Sequence, residues 1–249
     1  MDQVSKVSVL RYDPDKDVSP RYEQYEVPFS DGMTVLEVLK YIYDNYSPIV
    51  FRYGCRIKVC GSCSVMMNNR PVMACKEKAE KVMTIEPIPV LPTIKDLAVD
   101  FDAFFDKRVK IRPFIEPPKK KIELPRQLSY DVVNKYRECE TCVECLICDA
   151  ACPVVAKTPH LFAGPCTMLE IARLYRDPQD SGDRIRLAVS EGLFNCDLCG
   201  KCTEMCPVGI KIHRVIDELQ QLARKQEPMV NEKASGHRVE INVDKEGLR

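Results

Sequence analysis

Apolar and polar residues alternate along the first third of the chain in the manner of β-strands. Residues 6–12 (KVSVLRY) and 22–27 (YEQYEV) follow this period of two, and a polar turn containing Asp and Pro separates them. Farther on, Thr34 and Glu37 form a capping-box pattern in front of apolar residues spaced three and four apart. The pattern therefore predicts two strands followed by one helix.

A hairpin and a further strand are predicted after the helix. Apolar residues flank the pair Asn68-Asn69, and Asn tolerates the left-handed conformation that a tight hairpin turn requires. These strands are predicted at residues 65–67, 72–74 and 82–85. Two initial strands, a helix, a loop with cysteines and later strands predict a small α+β domain over residues 1–105.

The second half of the chain has a helical period instead. Apolar residues three or four apart predict helices at residues 130–137, 167–176, 184–190 and 212–224. Between the halves, residues 112–126 hold four prolines and a Lys triplet, and proline interrupts helices and central strands alike. We predict a connection over 106–126, a helical domain over 127–226, and a polar tail over 227–249 that is loose or lies on a partner.

Charge and hydropathy narrow the class of protein. The 249 residues carry 37 Lys and Arg against 37 Asp and Glu, so binding to nucleic acid through bulk charge is not expected. No apolar run approaches the roughly 20 residues of a membrane-spanning helix, and no signal-peptide pattern opens the chain. We expect a cytoplasmic protein that meets the cytoplasmic face of a membrane, if at all, through partner subunits.

Cysteine is the unusual component, with 14 residues against no tryptophan. In a reducing compartment, thiols in such number indicate metal. One set has the spacing of plant-type [2Fe–2S] sites and consists of Cys55, Cys60, Cys63 and Cys75. Four thiolates must converge on two irons, so three come from one loop and the fourth from a neighbouring strand. Gly54 and Gly61 suit a loop whose backbone closely approaches the inorganic sulfurs.

Two copies of the bacterial ferredoxin run Cys-x2-Cys-x2-Cys-x3-Cys-Pro follow. The first run comprises Cys142, Cys145, Cys148 and Cys152, and the second comprises Cys196, Cys199, Cys202 and Cys206. In two-cluster proteins the fourth cysteine of each run ligates the cluster of the other run. The predicted ligand sets are therefore Cys142, Cys145, Cys148 and Cys206 for one [4Fe–4S] cluster, and Cys152, Cys196, Cys199 and Cys202 for the other.

Two cysteines lie outside these sets. Cys139 and Cys166 are predicted to be small buried hydrophobes, the ordinary role of free thiols, with a ligand role as the alternative. A structural zinc protein is the alternative for the whole set, but zinc sites favour two separated pairs over clustered triplets. No nucleophile–base pair, phosphate loop or dinucleotide fingerprint occurs, which favours electron transfer over conversion of a substrate on this chain.

These motifs together resemble the iron–sulfur subunits of succinate dehydrogenases and fumarate reductases. The resemblance covers residues 5–225 and rests on the segments CRIKVCGSC (55–63), MAC (73–75), CLICDAACP (145–153), FAGP (162–165) and CTEMCP (202–207). It implies a β-grasp [2Fe–2S] domain and an α-helical ferredoxin domain with two cubane clusters. It also implies an FAD-containing flavoprotein partner that carries out catalysis on succinate or fumarate, with the [2Fe–2S] domain facing it.

The resemblance also implies the order of the other two clusters, and the sequence departs from the usual family pattern at two positions. The cluster with Cys142 lies in the middle, and the cluster with Cys196 lies outermost. The family's second run usually lacks its second cysteine and holds a [3Fe–4S] cluster, whereas Cys199 fills that position here and implies [4Fe–4S]. A [3Fe–4S] cluster is expected only if Cys199 is not a ligand. A smaller departure is Lys58, where the family loop usually has glycine.

The residues around the outermost cluster also bear on its partner. Family members that reduce quinone carry aromatic residues, typically tryptophan, after the first Cys-Pro, and a histidine in the second run. Ala156, Lys157 and Asp197 stand there, so the usual quinone contact is not expected. The four-cysteine variant is similar to archaeal and epsilon-type enzymes, which implies a cysteine-rich, heterodisulfide-reductase-like third subunit. A membrane anchor subunit is the alternative partner. The alternatives are a subunit of a flavoprotein oxidoreductase acting on another acid or acyl thioester, and a stand-alone multi-cluster ferredoxin.

Overall fold

A five-stranded mixed sheet forms the first domain of the computed structural model, which describes residues 3–118 and 128–234. The strands are β1 (Val4–Arg11), β2 (Arg21–Pro28), β3 (Ser64–Met67), β4 (Arg70–Met73) and β5 (Val82–Glu86). Their order across the sheet is β2-β1-β5-β3-β4. The pairs β1–β2, β3–β4 and β3–β5 are antiparallel, and β1–β5 is parallel. All five strands overlap the segments predicted as strands, although β4 begins at Arg70, two residues before its predicted start.

Helix α1 (Val35–Asn45) packs on one face of this sheet. Its N-terminus is the predicted capping box, in which the Thr34 hydroxyl accepts the Glu37 N–H and the Glu37 carboxylate accepts the Thr34 N–H at 2.7 Å. The helix buries Val35, Leu39 and Ile42 against alternate residues of the strands. A helix across a mixed sheet of this order is the β-grasp arrangement, and that prediction is confirmed.

Three elements between the domains were not predicted. Strands β6 (Thr93–Lys95) and β7 (Ala98–Val99) form a short ribbon, and helix α2 (Asp102–Lys110) follows it. The predicted boundary at residue 105 falls inside α2 and stays a prediction. The apolar period is weak in this helix because Phe104 is its only buried residue, so the sequence carried little helical signal there.

Helices make up the second domain. They are α3 (Tyr130–Glu140), α4 (Ile147–Ala150), α5 (Pro153–Lys157), α6 (Pro165–Arg176), α7 (Arg184–Ser190), α8 (Lys201–Glu204) and α9 (Ile212–Ala234), with a 3-10 turn at Leu193–Asn195. The four predicted helices are confirmed. Helix α9, however, continues past residue 226 into the predicted polar tail as far as Ala234. Residues 235–249 of that tail lie outside the described residues.

The two domains share residues at their cores. Cys145 and Ile147 of the second domain pack in the core of the first, whereas Ile88, Phe104 and Ile111 pack in the core of the second. The buried Arg184 side chain of α7 donates hydrogen bonds to the backbone carbonyls of Ile111, Arg112 and Phe114. The predicted connection thus begins with the end of α2, followed by a segment that Arg184 holds against the second domain. Its Lys triplet lies in residues 119–127, which are outside the described residues.

No helix within residues 3–118 and 128–234 combines the length and apolar composition needed to cross a membrane.

Candidate metal centres

The first cysteine loop leaves the sheet between α1 and β3 and lies at the surface. Cys55 Sγ accepts three backbone N–H groups, from Ile57 at 3.4 Å, Val59 at 3.2 Å and Cys60 at 3.3 Å. Backbone donors that converge on one sulfur are a feature of cysteines that bind iron. The loop is therefore curved around the Cys55 sulfur.

Left-handed residues give this loop its curvature. Arg56 and Lys58 have φ of 61° and 57°, a conformation that favours glycine. The positive φ of Lys58 supplies a physical reason for the glycine that the resemblance leads one to expect at this position. The lysine is exposed, so the cost is backbone strain with no loss of packing.

The other three cysteines of this set differ in burial. Cys60 Sγ lies 3.1 Å from Ser62 Oγ, and this hydrogen bond, with two backbone N–H groups, lowers the pKa of Cys60 to about 6. Burial raises the pKa of Cys63 to about 12, and the side chain of Cys75 hydrogen-bonds it. The structure thus brings the four predicted residues together. Ser62 was missed, because a serine between two cysteines carries no spacing signal.

The two ferredoxin runs share one backbone conformation. In the first run, Glu144 and Leu146 have φ of 53° and 59°, and in the second the equivalent Leu198 and Gly200 have φ of 57° and 82°. Each pair lies on either side of the second cysteine of its run. The runs are therefore structural repeats, and Cys199 occupies in the second run the position that Cys145 occupies in the first.

The repeat continues into the short helices α4 and α8. Leu146 O accepts the Ala150 N–H at 2.9 Å, and Gly200 O accepts the equivalent Glu204 N–H at 3.1 Å. Backbone N–H groups also point at ligand sulfurs in both halves, from Glu144 to Cys142 Sγ and from Ile210 to Cys206 Sγ, each at 3.4 Å. Such donors fit thiolates that bind iron.

The fourth cysteine of the second run lies beside the first run. Burial raises the pKa of Cys145 to about 12, and the neighbouring Cys142 and Cys206 raise it as well. Cys206 therefore lies near enough to Cys145 to interact with it electrostatically. The structure brings Cys206 to the first set, as the crossed assignment predicts.

The converse holds for the fourth cysteine of the first run. Burial, followed by the thiols of Cys196, Cys152 and Cys199, raises the pKa of Cys202 to about 12. Cys152 comes from the first run and lies within electrostatic reach of the second. Without metal the Cys202 thiol holds its proton, so binding of iron must displace it. Converging sulfurs and N–H donors fit iron–sulfur clusters at all three sets.

Known proteins share both the domains and their order. Residues 6–106 match a family model described as a 2Fe-2S iron-sulfur cluster binding domain, and residues 138–210 match a 4Fe-4S dicluster domain. The fumarate reductase iron-sulfur subunit of Haemophilus influenzae is 34% identical over 223 residues, which cover 82% of this chain and 87% of that protein. The chain belongs to this family of iron–sulfur subunits.

Two further proteins related to fumarate reductases and succinate dehydrogenases are similar to this chain. A subunit of the fumarate reductase (CoM/CoB) of Methanothermobacter marburgensis is 36% identical over 222 residues, covering 88% of this chain. This chain spans only 44% of that relative's length. A chain of the Mycobacterium smegmatis Sdh1 complex in the apo form superposes with a TM-score of 0.83 at 29% identity, covering 92% of this chain and 98% of that one.

The two cysteines outside the predicted sets are buried in this iron–sulfur subunit. Cys139 is 1% exposed, and the Arg176 guanidinium donates to its Sγ at 3.0 Å. Cys166 is 4% exposed, donates its backbone N–H to the buried Asp149 carboxylate at 2.8 Å, and hydrogen-bonds through its side chain with Cys142 and Cys148. Burial matches the prediction for both, but Cys166 also contacts two predicted ligands. The FAGPC segment gave no sign of that contact.

Proposed function

We propose that this chain is the electron-transfer iron–sulfur subunit of a succinate dehydrogenase or fumarate reductase-type complex. The observation that carries the proposal is the series of three cysteine sets. It begins in a loop with the exposed Cys60, passes through a run with the buried Cys145 and Cys148, and ends in a run with the exposed Cys199. Such a series can hold carriers that connect two surfaces of the subunit. Its family membership supports the same role.

The proposed ligands are those of the three converging sets. They are Cys55, Cys60, Cys63 and Cys75 for [2Fe–2S], Cys142, Cys145, Cys148 and Cys206 for the middle [4Fe–4S] cluster, and Cys152, Cys196, Cys199 and Cys202 for the outer [4Fe–4S] cluster. The repeated backbone of the two runs supports Cys199 as a ligand, since Cys145 holds the same position. When bound, these clusters accept and release single electrons.

The chain's own residues hold these ligands in two different environments. Backbone N–H groups from the 55–60 loop donate hydrogen bonds to Cys55 Sγ, and the Ser62 hydroxyl hydrogen-bonds Cys60 Sγ and lowers the pKa of that thiol. Around the middle set, Cys145 and Cys148 are each 7% exposed, so the protein excludes water there. Hydrogen bonds and solvent exposure both set cluster potential, so the three sites are expected to differ in potential.

Each exposed end is proposed to meet one partner. At the [2Fe–2S] loop, Ile57 and Val59 are 69% and 62% exposed, and apolar side chains at that exposure support docking of the FAD-containing flavoprotein. Catalysis on succinate or fumarate lies on that partner. The chain is proposed to reach the membrane, if at all, only through partners at its cytoplasmic face.

The opposite end is proposed to meet a cysteine-rich, heterodisulfide-reductase-like subunit, with a membrane anchor subunit as the second candidate. Cys199 is exposed there, and the exposed Ala156, Lys157 and Asp197 stand close in sequence to the proposed outer ligands Cys152 and Cys196. The small and charged side chains at these positions offer no aromatic wall for a quinone ring. This composition supports a protein partner in place of a quinone.

A tagged full chain purified anaerobically from its own cells tests the flavoprotein proposal. We expect a flavin-containing subunit to copurify and the complex to reduce fumarate with reduced viologen. Ile57→Glu should abolish the flavin content, because it places a charge in the proposed contact. Val82→Glu is the matched control, since Val82 is also 69% exposed but lies on β5, away from the loop.

The same preparation separates the alternatives. Flavin present without fumarate or succinate conversion would indicate a flavoprotein that acts on another acid or acyl thioester. A chain that purifies with its clusters but without flavin, in wild type and both variants, would be a stand-alone carrier. Either result would contradict the proposed complex.

A further inference from the structure

A buried hydrogen bond joins the two domains where the first two ligand loops meet. Ser64 Oγ donates to the backbone carbonyl of Cys145 at 2.8 Å, and both residues are less than one-tenth exposed. Ser64 directly follows Cys63 in the chain. The bond therefore connects the neighbour of a proposed [2Fe–2S] ligand to a proposed ligand of the middle cluster.

The backbones of the two loops also touch beside this bond. A Cβ placed on Gly61 would lie 2.0 Å from the carbonyl oxygen of Val143 and 3.2 Å from the Cys145 nitrogen. Only a residue without a side chain allows that approach. The backbones of the two loops are therefore in direct contact beside the Ser64 hydrogen bond, with no side chain of residue 61 between them.

A second hydrogen bond connects the same two ligand sets at the surface. Lys76 Nζ donates to the Pro207 carbonyl at 2.9 Å. Lys76 follows Cys75, and Pro207 follows Cys206, so this bond again joins neighbours of proposed ligands of the two clusters. The lysine is exposed, which makes its bond weaker and more mobile than that of the buried serine.

We propose that Ser64 is a positioning residue whose hydroxyl couples the [2Fe–2S] ligand Cys63 to the middle-cluster ligand Cys145 and thereby sets the rate of electron exchange between the domains. The inference rests on the proposed function, because it takes both cysteines as cluster ligands. Electronic coupling decays faster across a gap than along bonded atoms. A 2.8 Å hydrogen bond replaces the wider gap of a van der Waals contact, about 3.5–4.0 Å. One electron moves, one centre is oxidised and the other reduced, and no atom is transferred.

The chain offers a close control for this serine. Ser5 is fully buried in β1, and its hydroxyl donates to the Glu80 carbonyl at 2.6 Å within the first domain. Ser5→Ala therefore removes an equivalent buried hydrogen bond without touching the contact between domains. Ser64→Thr and Ser64→Val form a second pair, because the two side chains have nearly the same shape and only threonine keeps the hydroxyl.

Freeze-quench EPR after rapid reduction of the cluster-loaded full chain measures how fast electrons redistribute between the two clusters. We expect Ser64→Ala and Ser64→Val to slow this exchange several-fold, with unchanged cluster content and midpoint potentials. Ser64→Thr and Ser5→Ala should exchange at the wild-type rate. A merely structural role would lower stability in Ser5→Ala and Ser64→Ala alike and would leave both exchange rates unchanged.

Equal rates in the valine and threonine variants would overturn the inference, as would slowing in Ser5→Ala as large as in Ser64→Ala. If Ser64→Val lost a cluster signal that Ser64→Thr kept, the hydroxyl would serve cluster assembly, and this result would also overturn the inference. These outcomes leave the proposed function standing. Absence of the cluster signals from the wild-type chain would instead contradict the proposed function.

Discussion

In the first ferredoxin run, the cysteine at the second position, Cys145, is 7% exposed and packs in the core of the neighbouring β-grasp domain. In the second run the equivalent residue, Cys199, is exposed at the surface. The backbone around the two is the same, with left-handed residues on both sides of each cysteine. Local spacing therefore determines the shape of the run, whereas the packing of the other domain determines its environment.

This difference in exposure implies different proposed roles for the two clusters. The first run is enclosed between two domains. Ser64 connects the [2Fe–2S] set to Cys145 of this run. Lys76 connects the same set to Pro207, which follows the fourth proposed ligand of the middle cluster, Cys206. The second run is open to solvent on the side of Cys199. An enclosed carrier passes electrons within the subunit, and an exposed one exchanges them with a partner.

The largest effect is expected from Cys145→Ser set against Cys199→Ser. Cys145→Ser removes a ligand from a buried site and leaves a hydroxyl in the shared core, so we expect loss of the middle cluster together with lower stability. Cys199→Ser should only convert the outer cluster to a three-iron form, leaving the other two intact. EPR of the oxidised and the reduced protein distinguishes these results. Equal damage from both substitutions would contradict the difference in environment.

The next effect concerns two glycines with positive φ. Gly61→Ala would press a methyl group into the Val143 carbonyl and should cost about 3 kcal/mol or more from overpacking and strain. Gly200 has open space around its Cβ position, so Gly200→Ala should cost only strain, about 1–2 kcal/mol. The apparent melting temperature of the cluster-loaded chain measures both. A smaller loss for Gly61→Ala than for Gly200→Ala would show that the domains do not touch there.

The smallest effect is expected at Lys58. Lys58→Gly relieves the left-handed strain but adds unfolded-state entropy, so a net gain of less than about 1 kcal/mol is expected. This gain corresponds to a rise in melting temperature of up to about 4 °C. Lys78→Gly is the control, because that exposed lysine lacks a positive φ and its replacement should destabilise. If Lys58→Gly lowered the melting temperature as much as Lys78→Gly, the result would contradict the left-handed conformation of Lys58.

The sheet and the main helices were predictable because their apolar periods are strong. Thr34 with Glu37 marked the start of α1, and the pair Asn68-Asn69 marked the hairpin. Helix α2 escaped prediction because it buries only Phe104. The cysteine sets were predictable for a different reason, namely that metal geometry demands fixed spacing.

Contacts between the domains left no such pattern in the sequence. Gly61 was expected to make room for inorganic sulfur, but its Cβ position faces the Val143 carbonyl of the other domain. Ser64 and Cys166 contact residues distant in the sequence, and the sequence around each of them does not indicate which residue it contacts. Packing across a domain contact depends on the whole fold, which is why these residues were found only in the structure.

Iron and sulfide content of the anaerobically purified full chain, measured together with EPR of the oxidised protein, tests the central claim that both runs hold complete [4Fe–4S] clusters. One [2Fe–2S] and two [4Fe–4S] clusters predict about ten irons per chain and no three-iron signal. About nine irons per chain with a persistent three-iron signal would contradict the claim, because Cys199 would then not be a ligand.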